Sequence, residues 1–165
     1  MHGTYSEDGT LQGLFELADI AYVGSGVLGS SVCMDKGLFK HVMTSNHIPT
    51  LPYQVFNRKD LLKDITSCIT KSEALSPYPL FTKPANLGSS VGVSKCTNRN
   101  DLMEGMLHAA GYDRRIVVEK GINNPREIEI SVLGNETPRA SVPGEVIPKD
   151  IFYTYNEKYT MTPLS

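Results

Sequence analysis

The sequence has no long apolar run and no strong excess of charge. No segment approaches the roughly 20 apolar residues that a membrane-spanning helix needs, so a transmembrane protein is not expected. The formal net charge of −2 gives no reason to expect a nucleic acid or an anionic membrane surface as a partner. The amino-terminal residues are polar and acidic, which is not the pattern of a signal peptide.

Cysteine is also scarce. The three cysteines, Cys33, Cys68 and Cys96, are odd in number, widely spaced and set among apolar residues. We therefore expect reduced thiols in or near the core, which suits the cytoplasm. The sequence contains neither a Cys-x-x-Cys nor a His-x-x-x-His spacing, so no structural metal site is expected.

The composition that remains is that of a globular protein. The chain has 165 residues, of which 40% are hydrophobic and 21% are charged, enough for one ordinary domain with a real core. Apolar periodicity predicts helices over 10–19, 30–45 and 97–110 and another beginning after Asn57. The inward-facing residues predicted for the 97–110 helix are Leu102, Met103, Met106, Leu107 and Ala110. Strands are predicted over 20–23, 53–56, 79–83, 91–95, 115–119, 128–133 and within 140–147. Mixed helices and antiparallel hairpins favour an α+β fold.

The most informative segment is the glycine-rich stretch 80–95. Lys83 is the last residue of a predicted strand, and the loop that follows contains Gly88, Ser89, Ser90 and Gly92. An ammonium group, unhindered backbone N–H groups and hydroxyls together suit a polyphosphate. The order is not that of a Walker A loop, because the lysine precedes the glycines. The alternative, a hairpin whose small residues merely turn the chain, stays open on this segment alone.

Further motifs accompany this loop in a fixed order. They are residues 2–13, 22–26, 34–36, 118–121, 126–129, 142–145 and 152–159. Together with 80–95 they resemble the D-alanine–D-alanine ligases of the ATP-grasp superfamily, with Ser6 where that family usually has glycine. The resemblance runs from His2 to Tyr159, nearly the whole chain.

The resemblance implies a fold and a domain plan. It implies an ATP-grasp central domain with an antiparallel sheet and flanking helices, preceded by the tail of an α/β N-terminal domain. Residues 1–30 would be that tail, 31–147 the nucleotide-binding domain, and 148–165 a lid loop and the start of the C-terminal catalytic part. The family is commonly homodimeric.

It also implies an activity. The family ligates two D-alanines through an acyl phosphate, with ATP and Mg²⁺ (or Mn²⁺), for peptidoglycan synthesis in the cytoplasm. ATP and D-alanine would be the partners, with no nucleic acid and no membrane. The barrier of such a reaction falls mainly by positioning and by neutralising phosphate charge.

The nucleotide-binding residues follow by position in the motifs. Lys36 and Lys83 would contact the phosphates, Glu119 and Lys120 would contact adenine, and Glu127 would accept the ribose hydroxyls. Gly88, Ser89 and Ser90 would form the loop over the phosphates. For Lys36 the alternative is an exposed helix lysine. For the 126–129 stretch it is a solvated charge pair on an edge strand, which suits Arg126 and Glu129 better than Glu127.

The resemblance places four residues near the amino-acid substrates. Ser89 and Tyr159 would belong to a hydrogen-bonded group that orders the substrate-covering loop, and Lys158 would reach substrate or phosphate when the lid closes. His2 would lie near the amino-acid site. The alternatives are an exposed aromatic on a loose tail for Tyr159 and a frayed, inert terminus for His2.

Parts of the family pattern have no counterpart in this sequence. The family carries a first D-alanine site before the 2–13 motif, and its Mg²⁺ ligands and an active-site arginine after the Lys-Tyr motif. We therefore expect a chain truncated at both ends, with 160–165 read out of frame, and absent or weak turnover. Two other readings stay open: a non-catalytic nucleotide-binding fragment that pairs with a full-length ligase, and another ATP-grasp carboxylate–amine ligase.

Overall fold

A four-stranded antiparallel sheet organises the first part of the protein. The computed structural model describes residues 5–147. The strands of the sheet are β1 (Tyr53–Asn57), β2 (Leu80–Pro84), β3 (Ser94–Cys96) and β4 (Arg115–Lys120). Their spatial order is β1-β4-β2-β3, and each neighbouring pair is antiparallel. The two inner strands, β4 and β2, are therefore the ones that end in the predicted site motifs.

Within residues 5–147, five helices accompany this sheet: α1 (Thr10–Leu17), α2 (Val27–Met34), α3 (Lys36–Ser45), α4 (Arg58–Glu73) and α5 (Arg99–Tyr112). Helices α4 and α5 cover one face of the sheet and form the hydrophobic core with it. Its fully buried members include Leu80, Leu102, Met106, Ile116 and Val118. No helix among the described residues is long and apolar enough to cross a membrane. The predicted α+β class is confirmed.

Local capping explains where the helices begin. Asp60 accepts a hydrogen bond from the Asn57 backbone N–H at 2.8 Å, which starts α4. The Asn98 side chain accepts from the backbone N–H groups of Asn100 and Asp101, at 2.9 and 3.1 Å, and starts α5. The predicted helix over 30–45 is in fact two helices. Asp35 has φ −79° and ψ 99°, which ends α2, and its carboxylate caps α3.

Three other expectations were wrong in detail. Residues 20–23 form no strand, since no described segment pairs with them, and Val23 is exposed. Cys33 is exposed, whereas Cys68 and Cys96 are buried as predicted. Met103 and Leu107 of α5 are exposed, because the side of the helix packed on the sheet is narrower than predicted and carries Leu102, Gly105, Met106 and Ala109.

Residues 122–147 belong to a second compact unit. These described residues form two two-stranded ladders, which pair β5 (Glu127–Glu129) with β8 (Gly144–Val146) and β6 (Val132–Leu133) with β7 (Arg139–Ala140). The strand predicted over 128–133 is thus split in two. Arg126 holds Glu145 through two hydrogen bonds of 2.9 and 2.8 Å, a bidentate pair at the start of the first ladder.

Two glycines of α5 provide a matched test of the packing. A Cβ on Gly105 would lie 2.6 Å from the buried Thr82 Oγ1, whereas a Cβ on Gly111 meets nothing within 4 Å. We expect Gly105→Ala to destabilise the protein by about 1–3 kcal/mol through overpacking. Gly111→Ala should be neutral or stabilise it by up to about 1 kcal/mol through helix propensity. Urea denaturation of both variants measures this, and equal effects would contradict the packing of α5 on β2.

Candidate functional site

One face of the sheet carries charged side chains among its apolar ones. Phe81 of β2 lies opposite Glu119 of β4, and Lys83 lies opposite Val117. Because side chains alternate along a strand, Phe81, Lys83 and Glu119 share the face turned away from the core. Tyr53 of β1 lies opposite Glu119 on the other side. The carboxylate therefore stands between two aromatic residues in one row across three strands.

Helix α3 brings two more lysines to this face. Lys36 and Lys40 are four residues apart, so they lie on one side of the helix. The Lys36 backbone N–H donates to the Ala85 carbonyl at 2.8 Å, which ties the start of the helix to the end of β2. Arg115 of β4 binds the Asp35 carboxylate at 2.5 Å and fixes the same end to the central strand.

Glycine at position 37 permits this close approach. A Cβ there would lie 2.9 Å from Arg115 Nη2 and 3.1 Å from Val55 Cγ2. Those distances are shorter than an ordinary contact, so a larger residue would push the first turn of α3 away from the sheet. Position 37 therefore helps to set where the Lys36 side chain stands.

Glu119 is a buried carboxylate held by two ammonium groups. Its Oε2 lies 2.7 Å from Lys40 Nζ, and its Oε1 accepts a hydrogen bond from Lys83 Nζ. Burial alone would raise the pKa of Glu119, but the charges and hydrogen bonds of Lys83 and Lys40 outweigh it and lower the pKa. The carboxylate is therefore ionised at neutral pH and keeps both lysines on this face of the sheet.

Lys36 is a half-buried lysine whose pKa is lowered. Its ammonium donates to the carbonyls of Pro84, at 3.2 Å, and Leu87, so it stands at the entrance of the glycine-rich loop. Burial and the positive charge of Lys83 lower the pKa of Lys36 from 10.5 to about 8. An anion bound beside both ammonium groups would relieve their repulsion. This part of the site is therefore suited to a phosphate group.

The loop between β2 and β3 has unusual backbone geometry. Ser89 and Ser90 have positive φ angles of 53° and 60°, and Gly92 has 70°. Left-handed geometry at non-glycine residues costs on the order of 1–3 kcal/mol each and is concentrated at functional sites. A Cβ on Gly88 would lie 3.3 Å from Glu7 Oε2, so the segment that precedes α1 approaches the loop here.

The structure places the remaining predicted residues as follows. Lys120 is exposed at the end of β4. Glu127 is half-buried in β5, within the second unit, and Glu129 of the same strand is exposed. His2, Lys158 and Tyr159 lie outside the described residues.

Sequence reasoning missed three residues of this site: Lys40, Arg115 and Gly37. The four-residue spacing of Lys36 and Lys40 was a signal for Lys40, because it puts both lysines on one helix face. Arg115 and Gly37 carried no such signal, since their roles depend on how closely α3 approaches β4.

Among residues 5–147, no group of three or more His, Cys, Asp or Glu side chains could hold a metal ion. The acidic residues of the site are instead paired with lysine or arginine.

Known sequences similar to this chain share one description. The family model described as D-ala D-ala ligase C-terminus matches residues 42–164. The D-alanine–D-alanine ligase of Bacillus velezensis is 51% identical over 159 residues, which is 96% of this chain and 45% of that protein. The corresponding ligase of Acetivibrio thermocellus is 50% identical over 96% of this chain and 42% of its own length. The chain thus spans less than half the length of these relatives.

Solved structures agree with this likeness. The D-Ala:D-Ser ligase VanG from Enterococcus faecalis superposes with a TM-score of 0.81 and 35% identity, over 97% of this chain and 45% of that one. The D-alanine–D-alanine ligase from Coxiella burnetii superposes with a TM-score of 0.77 and 38% identity, over 88% of this chain and 42% of that one.

The lowered pKa of Lys36 predicts a pH-dependent contribution to stability. Between about pH 8 and pH 10.5 the unfolded chain binds a proton at Lys36 that the folded chain does not. Stability therefore rises with pH in this window, by up to about 3 kcal/mol from this group. We expect Lys36→Met to abolish that rise, as measured by urea denaturation from pH 7.5 to pH 10.

The difference between wild type and Lys36→Met isolates this lysine, because the two proteins share all other titrating groups. Lys63→Met, which removes an exposed lysine of α4, serves as the control and should leave the pH slope unchanged. A wild-type-minus-Lys36→Met difference that stays constant across the window would contradict the assignment.

Proposed function

Because the chain belongs to the D-alanine–D-alanine ligase family, we propose that it supplies the nucleotide-binding part of an enzyme that joins two D-alanines with ATP. The observation that carries the proposal is the convergence of Lys36 and Lys83 at the entrance of the glycine-rich loop. Two neighbouring cations beside a loop of small residues suit a polyphosphate.

The phosphates of ATP are proposed to bind at Lys36, Lys83 and the loop. Lys36 is fixed there by the Pro84 and Leu87 carbonyls, which leave one of its three N–H donors for an anion. Lys83 now binds Glu119 and would turn its ammonium toward a phosphate when one arrives. The loop would contribute Gly88, Ser89 and Ser90, whose left-handed serines bend the chain sharply.

The nucleoside is proposed to bind at the end of β4. Glu119 would accept a hydrogen bond from the amino group of adenine, and the exposed Lys120 would contact the base. Glu127 would accept the ribose hydroxyls. The geometry that supports this assignment is the end of a rigid central strand, where Glu119 is buried and ionised.

The reaction is proposed to proceed in two steps. A carboxylate oxygen of one D-alanine attacks the γ-phosphorus, which gives an acyl phosphate and ADP. The amine of a second D-alanine then attacks the acyl carbon and loses a proton as inorganic phosphate leaves. Ser89, Lys158, Tyr159 and His2 are proposed to hold the amino acids and the acyl phosphate.

The substrate, the pathway and the oligomeric state are proposed from the family. Relatives that are about half identical over 159 residues are D-alanine–D-alanine ligases, which supports D-alanine as the second substrate. The dipeptide is proposed to enter peptidoglycan synthesis in the cytoplasm, where ATP is made. We also propose that the protein forms a homodimer. Its domains are proposed to be the tail of an N-terminal α/β domain (1–30), the nucleotide-binding domain (31–147), and the lid loop with the start of the C-terminal catalytic part (148–165).

Mg²⁺ (or Mn²⁺) is proposed to accompany ATP in the whole enzyme. Residues 5–147 contain no group of acidic or histidine side chains that could hold it. Its ligands are therefore proposed to lie outside residues 5–147.

Binding of ATP is the first test. We expect ATP to raise the melting temperature of the 165-residue chain in a concentration-dependent way, because a ligand of the native state stabilises it. Lys83→Met should weaken ATP binding by about 10- to 100-fold, the effect of losing a charge-assisted hydrogen bond. The matched control is Lys63→Met on the exposed side of α4. Equal affinity in all three proteins would contradict the proposed phosphate site.

Proton uptake is a second, independent test. A phosphate beside Lys36 favours its charged form, so ATP binding near pH 8 should take up about half a proton at this lysine. Calorimetry in buffers of different ionisation enthalpy measures the uptake. Lys36→Arg, which stays charged, should remove it while it retains ATP binding. An uptake that is the same in both proteins would assign the proton to another group.

A further inference from the structure

Lys40 and Lys83 hold the same carboxylate but are buried to different extents. The Lys40 side chain is 14% exposed and that of Lys83 is 26% exposed, while the Glu119 side chain is 8% exposed. Each lysine occupies its own carboxylate oxygen. The more accessible partner is therefore Lys83, which also lies nearer the glycine-rich loop in sequence.

Lys40 has two restraints. Its ammonium lies 2.7 Å from Glu119 Oε2 and 5.4 Å from the centroid of the Tyr53 ring, a cation–π distance. Tyr53 itself pairs with Glu119 across β1 and β4. Lys83 makes the same two kinds of contact, with Glu119 and with the Phe81 ring at 5.7 Å. Lys40 differs from it in being less exposed and in belonging to a helix whose start is tied to β2 and β4.

Binding of a nucleotide would break one of the two ion pairs of Glu119 and leave the other intact. If Lys83 turns toward a phosphate, Glu119 loses one of its two counter-charges inside the protein. A buried carboxylate without any partner is strongly destabilised and would take up a proton. Among residues 5–147, Lys40 remains as the counter-charge at the other carboxylate oxygen, so it can keep the carboxylate ionised and oriented.

From this geometry we propose that Lys40 is a positioning residue: it holds Glu119 as an oriented carboxylate while Lys83 is transferred to phosphate, and so enables the site to select adenine. The inference rests on the proposed nucleotide site. An ionised carboxylate accepts from the adenine amino group and repels the carbonyl oxygen that guanine presents at the same place. A protonated or displaced carboxyl group loses that distinction.

Base selectivity is the readout that separates this role from simple packing. Calorimetric titration of the 165-residue chain with ATP and with GTP gives the ratio of their affinities. We expect wild type to prefer ATP by at least about tenfold and Lys40→Met to lose most of that preference. Lys40→Arg, which retains charge and donors, should retain the preference within about threefold.

Two further variants test whether Lys40 acts on base selectivity through Glu119. Lys36→Met should weaken ATP and GTP alike, because it removes a phosphate contact, and should leave their ratio unchanged. Glu119→Gln removes the buried charge, so Lys40→Met should cause no further loss of selectivity in that background. The double variant buries no unpaired carboxylate and keeps the test valid if Lys40→Met alone folds poorly.

The outcomes are distinct. An unchanged ATP:GTP ratio in Lys40→Met, or an equal loss in the Glu119→Gln background, overturns the role of Lys40 and leaves the nucleotide site intact. A cooperatively melting wild type that binds neither nucleotide overturns the proposed function and this inference together. A loss of selectivity in Lys40→Met that arginine rescues, and that adds nothing to the loss in the Glu119→Gln background, supports the inference.

Discussion

The ion pairs of Glu119 with Lys40 and Lys83 join the three elements on which the site depends: α3, β2 and β4. Burying such charges is expensive, and a buried ion pair adds little net stability compared with apolar packing. Removing one partner is another matter, because a lone buried charge costs about 3–5 kcal/mol. The cluster therefore acts as a constraint on geometry, and it requires the helix and the strands to meet in one arrangement.

That arrangement separates the two faces of the sheet. Leu80, Ile116 and Val118 face α4 and α5, and these residues supply the apolar burial that stabilises the unit. The opposite face receives Lys83 and Glu119 from alternate positions of the same strands. A polar site can be built here because the stability of the unit comes from the other face.

Much of this could be predicted from the sequence, for identifiable reasons. The amphipathic pattern of α5 and the alternation in β4 are local, and they predicted both elements to within a few residues. The break between α2 and α3 was missed because Asp35 reads as one more helical residue until its carboxylate is seen to cap Leu38. Arg115 was missed because its partner Asp35 lies 80 residues away in sequence. Glu119, the partner of Lys40, lies 79 residues away, so the spacing of Lys40 from Lys36 was the local signal that remained. Ile20 and Val23 look like strand residues, but pattern alone does not supply a neighbouring strand.

The double role of Asp35 has a consequence for how this fold can vary. One carboxylate caps α3 and also binds Arg115, so the start of α3 is set by the sheet and not by the helix before it. Insertions, deletions or rotations upstream of Asp35 can then be absorbed at the break between α2 and α3. The position of Lys36 on the sheet is thus fixed at Asp35, whereas the segment before α1 meets the site at the glycine-rich loop, beside Gly88.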